Sequence, residues 1–381
     1  MQNMNSKLPQ VSTTIFTVMS KLASQHDAIN LSQGFPNFGA SPKLIDLVTQ
    51  AMQKGYNQYA PMPGLPSLRE IIAHKTNSLY TSNYNPETEV TVTSGATQAI
   101  FTIIAAFVHP GDEVIVFKPA YDSYEPSIEL YGGTIVPVQL SAPDFNVDWQ
   151  DVASKITSKT KMIIINTPHN PTGSVLSKDD MLQLEKLLKN TDIILLSDEV
   201  YEHIIFDEQQ HQSAARFPGL VERSFITGSF GKTFHTTGWK MGYCLAPEAL
   251  MVEFRKVHQY NVFCTSHPMQ YALAEYLKTP DHYLSLPDFY QKKRDLFLSL
   301  LKDSRFTFSP ASGTYFQILG YSKITDEGDM AFAERLTKEH KIASIPISVF
   351  NLNQQDDKVL RFCFAKTEDT IKRAADILCG I

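Results

Sequence analysis

The segment Ser229-Phe230-Gly231-Lys232-Thr233 places one lysine among small residues, directly after a β-prone run at 223–228. Upstream, the apolar run 193–196 ends in Ser197-Asp198-Glu199-Val200-Tyr201. A lysine in this setting has two chemistries open to it. It can hold a phosphate as a point charge, or it can hold a carbonyl as a Schiff base. The phosphate reading needs a wide glycine loop, with glycine at position 226, and that position is Ile226. The acidic strand also precedes the lysine, the reverse of the usual nucleotide-hydrolase order. No GxGxxG follows a β-prone run, so a dinucleotide fingerprint is absent as well.

The Schiff-base reading calls for several groups at once. A carboxylate must face a protonated ring nitrogen, donors must meet a ring hydroxylate, and a cradle must hold a phosphate. Asp198 ends a run expected to be a buried strand, and Tyr201 lies three residues on. Ser94-Gly95-Ala96-Thr97 stands at an expected strand-to-helix turn, where small residues leave backbone N–H groups free for a phosphate. Ser229 adds a hydroxyl, Lys240 adds charge, and Tyr121 offers a ring for stacking. Each alone has an ordinary structural reading: a strand-end aspartate, a core aromatic, a common turn. Only the set argues for pyridoxal phosphate.

The elements that must position these groups follow from the pattern of apolar residues. β-rich runs at 89–93, 113–117, 134–138, 162–166, 192–197, 224–228 and 241–245 alternate with helical stretches such as 178–189. Their β-branched residues do not alternate strictly, as in strands buried on both faces. The expected fold is therefore α/β, with a large domain holding a mostly parallel seven-stranded sheet between helices. A ligand site is expected at the carboxyl ends of its strands. The last hundred residues read as a smaller α+β domain, with a helix around 286–301, β-prone runs near 314–319 and 359–364, and a final helix capped by Thr367. The expected division is an N-terminal arm at 1–40 packing on the small domain, a large domain at 41–280, and a small C-terminal domain at 281–381.

Taken in order, these pieces resemble a class I aminotransferase of the fold-type I pyridoxal-phosphate enzymes, over 30–361. Asn166-Thr167-Pro168-His169-Asn170-Pro171-Thr172-Gly173 is similar to that family's asparagine motif, and Ser197-Asp198-Glu199-Val200-Tyr201 to its aspartate and tyrosine. Gly238-Trp239-Lys240-Met241-Gly242 completes the lysine segment, and Leu360-Arg361-Phe362 resembles the arginine that clamps the substrate carboxylate. The resemblance implies Lys232 as covalent anchor and acid/base, Asp198 on the ring nitrogen, and Tyr201 and Asn170 on the ring hydroxyl. It implies Arg361, Asn170 and the Gly34 backbone on the substrate carboxylate. It also implies a homodimer, because Asn57-Gln58-Tyr59 resembles the segment whose tyrosine reaches the neighbouring subunit's phosphate. Lys240 stands where many members carry arginine, as in the kynurenine/glutamine-type branch and its bacterial methionine-preferring relatives. The side-chain pocket is expected to be apolar, with Phe16 and Tyr121 in its lining and Phe263 and His267 near the subunit boundary. No good second arginine for a dicarboxylic substrate is evident. The expected donor is a neutral large or aromatic amino acid: methionine, glutamine, phenylalanine, tyrosine or kynurenine.

Composition fits a water-soluble enzyme. With 34 Lys+Arg against 40 Asp+Glu the net charge is -6, and no basic block suggests nucleic acid or an anionic membrane as partner. The most apolar stretch, 99–108, is too short to span a bilayer. Residues 1–10 lack a signal peptide's apolar core, and four cysteines form no CxxC pair or metal spacing, so a cytoplasmic enzyme without a metal is expected. The chain begins close to the family's N-terminal arm, so no DNA-binding head is expected. The rival activity on the same fold is β-elimination from cysteine conjugates or cystathionine.

Overall fold

The computed structural model describes residues 5–381. The arm expected at 1–40 and the reading of residues 1–10 include Met1 to Met4, which lie outside the described residues. Seven strands form the main sheet: β1 (Val90–Thr93), β2 (Glu113–Lys118), β3 (Thr134–Gln139), β4 (Thr160–Asn166), β5 (Ile194–Asp198), β6 (Ser224–Ser229) and β7 (Gly242–Leu245). Their order is β1-β7-β6-β5-β4-β2-β3, and only β7 runs antiparallel to its neighbours. The last strand starts at Gly242 because Lys240 takes a left-handed backbone (φ 54°) that ends the preceding turn.

The strands run near-continuously apolar because both faces are covered. Ile163, Ile164, Leu195 and Leu196 are all within 1% of complete burial. Each such side chain contributes roughly 1.5–3 kcal/mol relative to exposure. The helix Gly95–Phe107 contacts β6 and β7 on one face, and its Ile100, Ile103 and Ile104 belong to one buried apolar cluster with Phe225 and Cys244 of those strands. The helix Lys178–Leu188 begins with a capping box in which Ser177 and Asp180 satisfy each other's backbone N–H.

Beyond the sheet, three antiparallel strands form β8 (Phe316–Gly320), β9 (Ile345–Pro346) and β10 (Val359–Cys363), with β10 in the middle. The helices Leu286–Leu301 and Glu368–Cys379 pack together beside them. Near the N-terminus, Ile29–Asn30 pairs in parallel with Ile342–Ala343, and the helix Ile15–Gln25 packs on Asp329–Lys338. Along this segment Gly34 meets Lys232, just after β6, and Ser32 meets Arg361 of β10.

Candidate active site

Three parallel strands end at one cavity, and each delivers a polar group. β4 ends at Asn166, β5 at Asp198 and β6 at Ser229. The short helix Phe230–Thr233 follows β6 at once and holds Lys232 over the same space. Gly95, Ala96, Thr97, Tyr121, Asn170, Tyr201 and Lys240 complete the lining that the sequence singled out.

Asp198 is buried, 4% exposed. Its Oδ2 accepts from the Tyr124 hydroxyl at 2.5 Å and its Oδ1 from Thr227 Oγ1 at 3.4 Å. Burial pushes its pKa up to about 6, against the opposing pull of the Tyr124 and Thr227 bonds and of Lys232. The Asn166 side chain donates to the Asp198 carbonyl at 2.8 Å and accepts from the Asn170 backbone N–H at 2.8 Å. One asparagine therefore ties the aspartate strand to the turn that carries the next asparagine.

Lys232 is partly buried. Burial draws its amine down to about 8, with Arg361 and Lys240 acting the same way and Cys363 and Asp198 opposing. Its Nζ donates to the Gly34 carbonyl at 3.3 Å and sits 5.6 Å and 5.7 Å from the Tyr201 and Tyr315 ring centres. The Tyr315 hydroxyl reaches the same Gly34 carbonyl at 2.5 Å. A Cβ at Gly34 would stand 2.7 Å from the Phe316 ring, so this close approach requires glycine. Burial raises the Tyr201 phenol well above its usual range.

At the other end of the cavity the helix Gly95–Phe107 begins. Ser94 makes no side-chain cap bond, so the first N–H groups lack that partner. Gly95 takes φ +75°, and the Lys240 amine lies within 3.5 Å of where its Cβ would be. The Tyr121 and Thr97 hydroxyls are 3.5 Å apart.

Arg361 stands in the middle of β10, 1% exposed. It donates to Asn170 Oδ1 at 2.7 Å and to the Ser32 carbonyl at 2.8 Å, while its Nε has no partner. Its guanidinium lies 3.9 Å from the Phe316 ring centre and 5.1 Å from that of Phe16. Burial lowers its pKa to about 10, which leaves it charged at neutral pH.

Gly34, Arg361 and Phe16 stand beside the cavity rather than in its lining, and Tyr59 lies apart from it. Tyr59 is 83% exposed, with its ring edge-on to the half-exposed Phe263 at 5.4 Å. His267 lies on the same surface and faces the Gln58 carbonyl at 3.1 Å. The sequence reading missed Tyr124, Tyr315 and Phe316. A buried tyrosine looks like any core aromatic in a sequence, and the one signal for Tyr124 was its place three residues after Tyr121.

Comparison with known proteins agrees with this geometry. The family model described as aminotransferase class I and II matches residues 26–378. Methionine aminotransferase of Escherichia coli K12 is 48% identical over 374 residues, covering 98% of this chain and 97% of that protein. Human kynurenine–oxoglutarate transaminase 3 is 33% identical, with 98% and 89% covered. An E. coli crystal structure identified with a methionine aminotransferase function superposes with a TM-score of 0.98 at 47% identity over the whole of both chains. The N-succinyldiaminopimelate aminotransferase structure from Mycobacterium tuberculosis gives 0.95 at 35% identity, covering 99% and 100%.

Proposed function

The chain belongs to the class I and II aminotransferases, and on that premise we propose that it takes the amino group of a neutral, fairly large L-amino acid and passes it to a 2-oxo acid. Methionine is the foremost donor in this reading, with glutamine, phenylalanine, tyrosine and kynurenine in the same class. The observation behind it is the setting of Arg361. This buried cation spends two of its five N–H donors on Asn170 and Ser32, its Nε has no partner among the described residues, and the rings of Phe16 and Phe316 lie against it. The cavity lining holds Lys232 and Lys240 as its cations, and Arg361 stands beside it on Asn170. The names of the E. coli and human relatives point the same way.

The family works with pyridoxal 5'-phosphate, and the residues present fit that group. The open helix start at Gly95, Ala96 and Thr97, with Ser229 and the Lys240 amine beside it, suits a phosphate. Asp198, whose pKa is raised by burial, suits a basic ring nitrogen that would share its proton. In our reading Tyr201 and Asn170 take the ring hydroxyl and Tyr121 covers a ring face. When bound, the cofactor supplies an aldehyde for the amino group and a ring that accepts the electron pair left at the substrate Cα.

The chain's own groups do the rest. Lys232 would hold the aldehyde between turnovers and move the proton away from Cα, which requires a neutral amine. Its pKa of about 8 makes that form accessible near neutral pH. Arg361 and Asn170 fix the substrate carboxylate, with the Gly34 segment closing over it. Phe16 and Phe316 pack against the Arg361 guanidinium, and Tyr315 against the Lys232 amine.

We further read the chain as an arm at 1–40, a large domain at 41–280 and a small domain at 281–381, assembled as a cytoplasmic homodimer. Exposed Tyr59 and Phe263, together with Tyr260 at 88% exposure, support an interface through which Tyr59 reaches the neighbouring phosphate site. Among the described residues no helix is long and apolar enough to cross a membrane, and all four cysteines are free.

The test of this reading is a donor panel. The holoenzyme should form 2-oxo acid from methionine, glutamine or phenylalanine at a far higher kcat/KM than from aspartate. A clear preference for aspartate would overturn it. Pyruvate and ammonia from cysteine conjugates, without 2-oxo acid from any of these donors, would point to β-elimination instead.

A further inference from the structure

Beneath the turn that carries Tyr201 lies a second polar cluster, on the side away from the cavity. Glu202 is 7% exposed and Lys75 4%. Lys75 Nζ bonds Glu202 Oε1 at 2.5 Å and the Tyr243 hydroxyl at 2.8 Å, and lies 3.2 Å from His203 Nε2. The Tyr80 hydroxyl donates to Glu202 Oε2 at 2.6 Å, and the Tyr243 hydroxyl donates to Oε1. Three residues earlier, Glu199 is bound in its own set. It accepts from Ser197 Oγ at 2.7 Å and the Ala214 N–H at 3.0 Å, with His211 Nε2 at 2.8 Å.

These carboxylates alternate with the site residues. Asp198 and Tyr201 face the cavity, whereas Glu199 and Glu202 are anchored below it. The turn closes on itself through Glu202 N–H to the Glu199 carbonyl at 2.9 Å and Ile204 N–H to the Tyr201 carbonyl at 2.8 Å. Tyr243 connects this turn to the lysine segment. A Cβ at Gly228 would stand 2.2 Å from Tyr243 Cζ, so the ring passes directly over the backbone one residue before Ser229. Its centre is also 5.2 Å from that of Phe230. A buried ion pair stabilises little by itself, but each partner is costly to misplace once the other is fixed. Such a cluster therefore favours one geometry of the segments attached to it.

We propose that Lys75, Glu202 and Tyr243 are positioning residues for the transamination reaction, setting the Tyr201 turn against the Lys232 segment from below. None of the three lines the cavity. The inference rests on the proposed role of Tyr201.

The test is a double-mutant cycle in the holoenzyme, with Tyr243→Phe and Tyr201→Phe. Tyr243→Phe keeps the ring that fills the space over Gly228 and removes only the hydroxyl. It should lower kcat roughly tenfold, with the methionine KM little changed and the visible absorbance band shifted. In the Tyr201→Phe background the same change should have almost no further effect on kcat, because the hydroxyl acts through Tyr201. Two independent losses that multiply would overturn the proposal, as would a Tyr243→Phe enzyme with native kcat and spectrum. If Tyr201→Phe alone left kcat and spectrum unchanged, the role given to Tyr201 would fall first. Lys75→Met with Glu202→Gln removes the ion pair while keeping similar shapes. If this variant folds with a native melting temperature, it should reproduce the tenfold loss and the band shift. Native kcat in that folded variant would also overturn the proposal.

Discussion

Arg361 donates to Asn170 Oδ1 at 2.7 Å and so joins the central strand of the C-terminal sheet to the turn after β4. Two residues 191 positions apart in the chain share one hydrogen bond beside the cavity that Asn170 lines. The same guanidinium holds the Ser32 carbonyl at 2.8 Å, so three segments meet on a single side chain. In our reading a substrate carboxylate takes guanidinium N–H donors that Asn170 and Ser32 leave unused.

Removing that junction should be expensive. Arg361→Ala should lower kcat/KM for methionine on the order of a hundredfold to a thousandfold, mostly through KM, because a buried charge partner for the carboxylate is lost. Arg361→Lys should recover only part of this, since an ammonium cannot serve Asn170, Ser32 and a carboxylate from one plane. Steady-state kinetics on both variants measure the difference. An unchanged KM in Arg361→Ala would contradict the clamp.

Asp198 gives a pH-dependent prediction for the cofactor-free protein. Its pKa in the folded chain is about 6, above the ordinary value of 3.8. The folded state therefore holds the proton more tightly, and this contribution is full below pH 3.8 and lost as pH rises through 6. Above that, the ionised carboxylate costs the fold about 3 kcal/mol relative to its protonated form. Urea midpoints of cofactor-free Asp198→Asn and native protein should diverge between pH 4 and 7, with the variant gaining at the higher pH. A difference that stays flat across this range would contradict the buried carboxylate's raised pKa.

Phe16 should tune the donor side chain. Phe16→Ala removes one of the two rings flanking Arg361, and kcat/KM for methionine and phenylalanine should drop roughly tenfold. Activity on small donors such as alanine should change much less. An equal loss for every donor would show that Phe16 supports Arg361 rather than the side-chain pocket.

Tyr59 lends itself to a complementation assay. Tyr59→Ala and Lys232→Ala chains, each poorly active alone, should regain activity when co-expressed. A mixed dimer then contains one site with both residues intact. No recovery in verified mixed dimers would mean that Tyr59 does not serve the neighbouring site.

Much of this arrangement was legible in the sequence because it rests on local features. Asp198 and Ser229 sit at strand ends that the apolar runs 192–197 and 224–228 announce, and the small residues at 94–97 mark the helix start. Arg361 and Asn170 could be paired only through the resemblance, since nothing in either segment points across 191 residues. Tyr124, Tyr315 and the Lys75–Glu202 cluster were not legible at all. Their polar atoms take meaning only from the folded neighbours they meet, and a helix residue such as Lys75 reads in sequence as solvated surface. The antiparallel direction of β7 was also hidden: residues 230–241 bring the chain back to pair Gly242 with Ser229, and their pattern speaks for the lysine's chemistry rather than for strand direction.

The central claim is that the Lys232 amine performs the chemistry, and one comparison tests it most directly. Native enzyme and Lys232→Ala, both supplied with pyridoxal phosphate, are assayed for 2-oxo acid formation from methionine. Loss of the nucleophile and of the proton carrier together should reduce turnover by at least about 10⁴-fold, while the folded variant keeps its melting profile. A Lys232→Ala enzyme that turned over methionine at the native rate would contradict the account.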